Sequence, residues 1–531
     1  MAIDIRTLQR LWILIFGCSG VALPSPRAQA PAPTAVVVVE VVVDSARAEQ
    51  RGFTAVAKRA ATFHRATVLR WNGEDGAVLA GLLREAGAPT NVLLVVPPAE
   101  FDVMLHRRTL LALMQLDSDP FVDASFGWIT ARDGAAVEAL WERIERLHRD
   151  GPKSKVWHSI AVASNMKSAV YAGHRSDLEK AAGFTGDSVY LGTVEHDEDV
   201  LAFFDRFAPE LGRAAVVEWS GNGDPQGIWL FGDRRNLDRT KHWPYDPQKV
   251  GHDPNGEMPR LGADRIRRLA LDGAVVWSGT CHAGATHRVY VEADIVSTFG
   301  SAEPGTVHRL QPDESLGLAM LDAGAASFAA SVGPNHGMSG MRETEFALRN
   351  GASLGEALKS TYDDVVLAAG GLPKLDLLVA GELVAAGERI MQGGGCNRAL
   401  FGDPTLRPFA ATRDPRETVV VREGRDGGLE IEVRRVEGFH ATAWDMYGDD
   451  RQGGHQIQVR VPLSDSEGDS EPAPLAEVRI VAAGRVVPGV VVACVVERFA
   501  GLRFLHLKAT AARTALDGKA TTATFVVRQR S

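Results

Sequence analysis

Residues 217–231 read VEWSGNGDPQGIWLF, and residues 275–284 read VVWSGTCHAG. Each is a short apolar run that reaches Trp-Ser-Gly and then opens into small polar residues. Runs of β-branched and aromatic residues of this length, stopped by glycine, predict strands buried on both faces, as in a parallel sheet. In an open α/β sheet ligands gather beyond the carboxyl ends of the strands. The loops that follow the two runs therefore carry the chemistry. The second holds Cys281 and then His282; the first holds Asn222 between Gly221 and Gly223, with Asp224 next.

These two runs, 215–220 and 274–278, are joined by similar ones at 35–43, 67–71, 91–96, 156–164, 189–194 and 327–332. Helical spacing separates several of them. Asp133 is placed to cap a helix whose Val137, Leu140, Trp141, Ile144 and Leu147 share one face. Ser353 and Glu356 form a capping-box pattern opening a helix toward Tyr362. Continuous strands alternating with helices predict an α/β fold with a doubly wound, mostly parallel sheet. DGPKSK at 150–155 reads as a linker, so 31–150 is expected to be a smaller α/β subdomain and 151–412 the larger one. From about Glu417 apolar and polar residues alternate, at 429–433, 457–461 and 477–481, with no long helix between. That pattern predicts a β-sandwich over 413–531, of Ig-like kind, with the acidic stretch 464–474 as a solvated loop.

At 531 residues, 45% hydrophobic and 24% charged, the chain has the composition of a globular protein of several domains. A net charge of −9 without basic runs speaks against nucleic acid as the main partner. Residues 1–30 read as a signal peptide: Arg6 and Arg10 precede an apolar stretch, and Ala28-Gln29-Ala30 has the form of a cleavage site. Pro31, directly after that site, is expected to hinder cleavage. Ile15-Phe16-Gly17-Cys18 loosely resembles a lipoprotein box, so contact with a membrane is expected only through a lipid anchor at Cys18. Export to the periplasm, cell envelope or medium follows. The four cysteines, Cys18, Cys281, Cys396 and Cys494, are too few for a disulfide scaffold. Cys494, inside VVVACVVE, and Cys396, in QGGGCNR, read as inert core thiols. Cys281, at a strand end in a Gly-rich loop, reads as a nucleophile.

The order of these features resembles the gingipain-type cysteine peptidases, the C25 family of the caspase-like clan. In that family one strand ends in Gly-His-Gly and a later one in the nucleophilic cysteine. Here Gly221-Asn222-Gly223 stands at the first position and Cys281 at the second. Further similarities are DSDPFVDASFGWITAR at 117–132, LDAGAASFAASVGPN at 321–335 and FGDPTLRP at 401–408, so that the resemblance spans roughly 90–410. It implies a caspase-like sheet, a peptide or protein substrate attacked by Cys281, and an oxyanion held by the backbone N–H groups of Cys281 and Gly223. Gly221, Asp224 and His282 would line the cleft.

The departure is Asn222. It can hydrogen-bond, but it cannot carry a proton near neutral pH as the family's histidine does. Four histidines are candidates to replace it. His336, in GPNHG after the 327–332 run, should emerge on the same sheet edge and is preferred. His282 is adjacent to Cys281, and His242 and His252 lie in the long segment 233–260. Metal signatures are poor: Asp253, Asn255 and Glu257, and again Asp117, Asp119 and Asp123, give only fragments of a calcium loop. No cofactor is expected, with structural calcium as the alternative. Two readings of function result. One is an exported gingipain-like cysteine endopeptidase; the other is an inactive or impaired pseudopeptidase that binds peptide or protein in the former cleft.

Overall fold

The structure is a computed structural model. It describes residues 36–42, 48–161, 184–190, 200–221, 223–229, 260–291, 305–333, 343, 347, 351–368, 393–409, 417–423, 428–435, 444–445, 454–463, 474–499, 502–512 and 520–528. The expected signal peptide and the acidic stretch 464–473 lie outside these residues.

The first part of the chain runs β1 (Val36–Val41), α1 (Ala48–His64), β2 (Thr67–Trp71), α2 (Gly76–Glu85), β3 (Asn91–Val95), α3 (Val103–Leu113), β4 (Ser125–Ile129) and α4 (Gly134–Asp150). It continues through β5 (Val156–Ala161), β6 (Thr185–Tyr190), α5 (Val200–Leu211), β7 (Val216–Ser220), β8 (Gly223–Asp224), β9 (Gly227–Trp229), β10 (Arg260–Gly262) and α6 (Ala263–Ile266). Then come β11 (Val275–Ser278), β12 (Arg288–Tyr290), β13 (Val307–Arg309), α7 (Leu316–Asp322), β14 (Ser327–Ser331), α8 (Leu354–Ala368) and β15 (Arg398–Phe401).

Ten of these strands form one sheet in the order β2-β1-β3-β4-β15-β14-β11-β7-β5-β6. β1 to β4 are mutually parallel, as are β14, β11, β7, β5 and β6. β15 is antiparallel to β14 and meets β4 at Phe401 beside Trp128. The stretches before and after residue 150 thus share a single sheet, and β15, arriving late in the chain, is its seam. The sheet is mostly parallel and buried on both sides, which is why its strands are continuous apolar runs: β3 (NVLLV), β11 (VVWS) and β14 (SFAAS) are buried at every residue.

Local chemistry explains the helices that cover it. Asp133 Oδ1 accepts the Ala136 N–H at 2.9 Å, and Val137, Leu140, Trp141, Ile144 and Leu147 are all buried. The expected capping box is complete. Ser353 Oγ accepts from Glu356 N at 3.1 Å, and Glu356 Oε2 accepts from Ser353 N at 2.7 Å. Among the described residues no helix is long and apolar enough to cross a membrane.

The last part is all strand: β16 (Glu417–Glu423), β17 (Leu429–Arg435), β18 (Trp444–Asp445), β19 (Gly454–Leu463), β20 (Leu475–Ala482), β21 (Arg485–Val487), β22 (Gly489–Phe499), β23 (Leu502–Ala512) and β24 (Thr521–Arg528). Two antiparallel sheets, β16-β17-β24-β20-β21 and β18-β19-β23-β22, enclose one apolar core that includes Ile431, Ile457, Ile480, Leu507 and Phe525. This unit is clasped to the α/β part. Lys359 Nζ on α8 donates to Asp363 Oδ2 at 2.7 Å and also to Glu497 on β22. His506 Nε2 lies 2.6 Å from Glu497 Oε2, and its ring stacks on Phe121 at 4.7 Å. Arg498 N donates to Asp119 Oδ2 at 2.5 Å.

Candidate active site

β11 ends at Ser278, and the chain turns at once. Cys281 sits in that turn, half-buried, while Cys396 is buried at 1% exposure and Cys494 packs against the core of the β unit. Burial pushes the thiols of Cys396 and Cys494 up to about 12, so neither supplies a thiolate at neutral pH.

Three backbone hydrogen bonds fix the turn. Gly279 N donates to Trp219 O of β7 at 2.8 Å, His282 N to Gly333 O at 3.0 Å, and Gly284 N to Ser331 O of β14 at 2.8 Å. Inside the turn, Thr280 N donates to Ser278 Oγ at 3.2 Å. His282 adopts φ 56° and is 1% exposed, so its ring is buried while the neighbouring Cys281 is only half-buried. The cysteine turn therefore lies between the carboxyl ends of β7 and β14, in the middle of the sheet.

The loop after β7 reaches the same place. A Cβ on Gly223 would come within 2.5 Å of Thr280 Cγ2 and 2.6 Å of Gly227 O, so only glycine permits this approach. Asp224 is fully buried, and its Oδ1 accepts from Gln226 N at 2.8 Å and Gly227 N at 3.1 Å. That carboxylate shapes the β8–β9 hairpin. Gly221 is buried as well. Of the residues singled out from the sequence, Cys281, His282, Gly221, Gly223 and Asp224 thus cluster at one sheet edge. Asn222, His336, His242 and His252 lie outside the described residues.

Below the turn is a charged pair that sequence reading did not single out. Arg398 and Glu343 are both 0% exposed and meet at 2.6 Å and 2.9 Å through Nη2 and Nε. Arg398 Nη1 also donates to the Ser278 carbonyl, three residues before Cys281. Thr361 Oγ1 donates to Glu343 Oε1 at 3.1 Å, and Tyr362 OH to Arg398 O at 2.6 Å. The only sequence signal was an arginine opening the otherwise apolar run RALF.

On the far side, Thr286 Oγ1 donates to Pro98 O at 3.1 Å, and Arg288 pairs with Asp102 at 3.3 Å. The chain after Cys281 is thereby tied to the loop that follows β3.

Asp117, Asp119 and Asp123 do converge, with a carboxylate oxygen from each within 4.8 Å of the others. Their oxygens already close the loop on itself: Asp123 Oδ2 accepts from Leu116 N at 2.8 Å and Asp117 N at 3.1 Å, and Asp119 Oδ1 accepts from Phe121 N at 2.9 Å. The second calcium-loop fragment, Asp253, Asn255 and Glu257, lies outside the described residues.

No protein-family model matches the sequence, and no curated protein matches it. Among solved structures, the chain is similar to the Arg-specific cysteine proteinase gingipain R (RgpB), with 11% identity, 94% of this chain and 98% of that one covered, and a TM-score of 0.40. A complex of Porphyromonas gingivalis RgpB pro- and mature domains gives 11%, 93%, 99% and 0.38. A structure described as a protease gives 11%, 94%, 97% and 0.38.

Proposed function

We propose that the chain is an exported cysteine-type endopeptidase with Cys281 as its nucleophile. The observation that carries this reading is the thiol's situation. Cys281 is half-buried in a turn at the centre of the sheet edge where ligands of α/β folds collect, whereas Cys396 is buried and Cys494, though also half-buried, lies within β22 with its thiol pushed up to about 12. In the proposed reaction the Cys281 thiolate attacks the carbonyl carbon of a peptide bond. The backbone N–H groups of Cys281 and Gly223 hold the oxygen as it gains charge. The C–N bond then breaks, the amine leaves with a proton, and water hydrolyses the thioester to free the cysteine. The wall formed by Gly221, Gly223 and Asp224, with His282 behind the thiol, is the proposed cleft.

The leaving amine needs an acid, and Asn222 is not one. His336 is proposed for that role. Loss of acid–base help costs about 10²–10⁴ in rate, so the same site without a substitute histidine would bind peptides and scarcely cut them. Asn222 is the observation that favours this second reading, a pseudopeptidase.

Hydrolysis of a mixed fluorogenic peptide library by the purified chain separates the two. The variants are Cys281→Ala, His336→Ala and Asn222→His. The peptidase reading expects turnover by the wild type that both alanine variants abolish. Turnover only by Asn222→His would mean an intact scaffold that Asn222 has switched off. Silence in every variant, with peptide still bound, would leave the binding reading alone.

A further inference from the structure

At the edge of the sheet opposite Cys281, three residues from distant parts of the chain meet. β15 runs from Arg398, paired with Ser331 at the carboxyl end of β14, to Phe401, paired with Phe328 near its start. Asp403 follows at that far edge and is 0% exposed. His64, the last residue of α1, brings Nε2 to 2.7 Å from Asp403 Oδ2. His148, in the last turn of α4, brings its Nε2 to 2.9 Å from the same oxygen. The three ligand atoms lie within 4.8 Å of one another.

We propose that His64, His148 and Asp403 form a binding site for a divalent transition-metal ion of the zinc class. Four observations carry it. The donors are two imidazole nitrogens and one carboxylate oxygen, a set that suits zinc and its neighbours; calcium and magnesium take oxygen ligands. Both imidazole Nε2 atoms converge on the same carboxylate oxygen, Asp403 Oδ2. Asp403 is held for one-oxygen binding: its other oxygen, Oδ1, is occupied by Thr405 N and Thr405 Oγ1, each at 2.8 Å. Support of this kind behind a ligand is what fixes a metal site. Finally, the walls are aromatic. Phe63 stands edge-on to His64 at 4.9 Å, and Trp141 lies 6.0 Å from the same ring.

Metal–ligand bonds of about 2.0–2.1 Å at tetrahedral angles put ligand atoms roughly 3.3 Å apart. Each histidine–aspartate contact would widen by about half an ångström, a side-chain adjustment. Three protein ligands leave a fourth position, on the side of His148, whose side chain is 19% exposed; water would fill it. The ion would pin the ends of α1 and α4 to the loop after the seam strand, across sequence separations of 339 and 255 residues.

The test is calorimetric titration of the untagged, EDTA-stripped full chain with Zn²⁺, with Co²⁺ as a visible-absorption probe of coordination. The site predicts one equivalent of Zn²⁺ bound at micromolar or tighter affinity, and a Co²⁺ spectrum of four-coordinate type. His64→Gln and His148→Gln should each weaken binding at least about tenfold, and Thr405→Val, behind the carboxylate, by about 10–100-fold. Circular dichroism confirms that each variant is folded, and Thr405→Val keeps the test open if a histidine variant is not. Absence of Zn²⁺ binding by the wild type would overturn the proposal and leave the cluster as two imidazoles donating to one carboxylate. Unchanged binding by the double histidine variant would overturn it equally, by placing the ion elsewhere.

Discussion

A thiol attacks only as its anion, so three cysteines in one fold amount to three different reagents. Burial disfavours the charged form, and it holds Cys494 at about 12 and Cys396 at about 12 as well, outweighing the opposing charge of Arg107. Cys281 stands in a turn with solvent on one side. Brief alkylation of the native protein at pH 8 should therefore modify Cys281 ahead of the other two, read by peptide mass mapping. In Cys281→Ala, Cys396 and Cys494 should react only after denaturation. Equal labelling of Cys494 in the native state would show that the turn confers no advantage.

Between elements, the link that matters most is buried. Arg398 joins the end of β11, through the Ser278 carbonyl, to Glu343 and to the backbone of β14 at Ala329. Breaking a buried pair by removing one partner typically costs about 3–5 kcal/mol, because the other charge is left uncompensated. Arg398→Met should lower stability by about that much in urea titration. The double change Arg398→Met with Glu343→Leu should recover part of the loss, since paired apolar replacements are often tolerated. Recovery would identify the stranded charge as the cause.

This pair also marks where sequence reading stops. Isolated apolar runs were legible: 67–71 matches β2 residue for residue, and the capped helices begin where their caps predict. The seam strands were not. β4 reads SFGWI and is not among the runs singled out from the sequence; its central Gly127 is there because Gly402 O passes 2.3 Å from where a Cβ would sit. β15 has four residues and opens with a charge. β6 begins at Thr185, earlier than the 189–194 run, because an edge strand tolerates polar residues such as Asp187. For the candidate site, the loop pattern brought out Cys281 and the glycines that lie beside it. Local patterns hold no information on contacts between residues hundreds of positions apart, and so they missed Arg398 with Glu343, and Asp403 with His64 and His148.

At the scale of the whole molecule, the two folding units meet over acids that are costly to ionise. Burial, with neighbouring carboxylates adding to it, raises Asp119 to about 7 and Asp123 to about 8. A carboxyl raised in the folded state favours folding most below its unfolded pKa, and that contribution is lost as pH climbs to the folded value. These two groups should make stability fall between about pH 4 and pH 8. Asp123→Asn keeps an acceptor for the N–H groups of Leu116 and Asp117 and cannot ionise. In calcium-free buffer it should raise stability at pH 8 by on the order of 1–2 kcal/mol and flatten the slope. Thermal melts from pH 5 to pH 8 would read both effects. A slope as steep as that of the wild type would rule Asp123 out as its source.

The late arrival of β15 has a consequence for the chain before it is finished. Until Phe401 is in place beside Trp128, β4 and β14 each present an open row of backbone donors and acceptors to the surroundings. At roughly 5–20 residues per second, synthesis of the intervening stretch leaves β4 bare on the order of half a minute. A nascent or truncated chain in that interval offers the edge that other strands pair with most readily. Its first need is a guardian that keeps polypeptides apart, and any fragment ending near residue 150 would carry the same exposed margin for good.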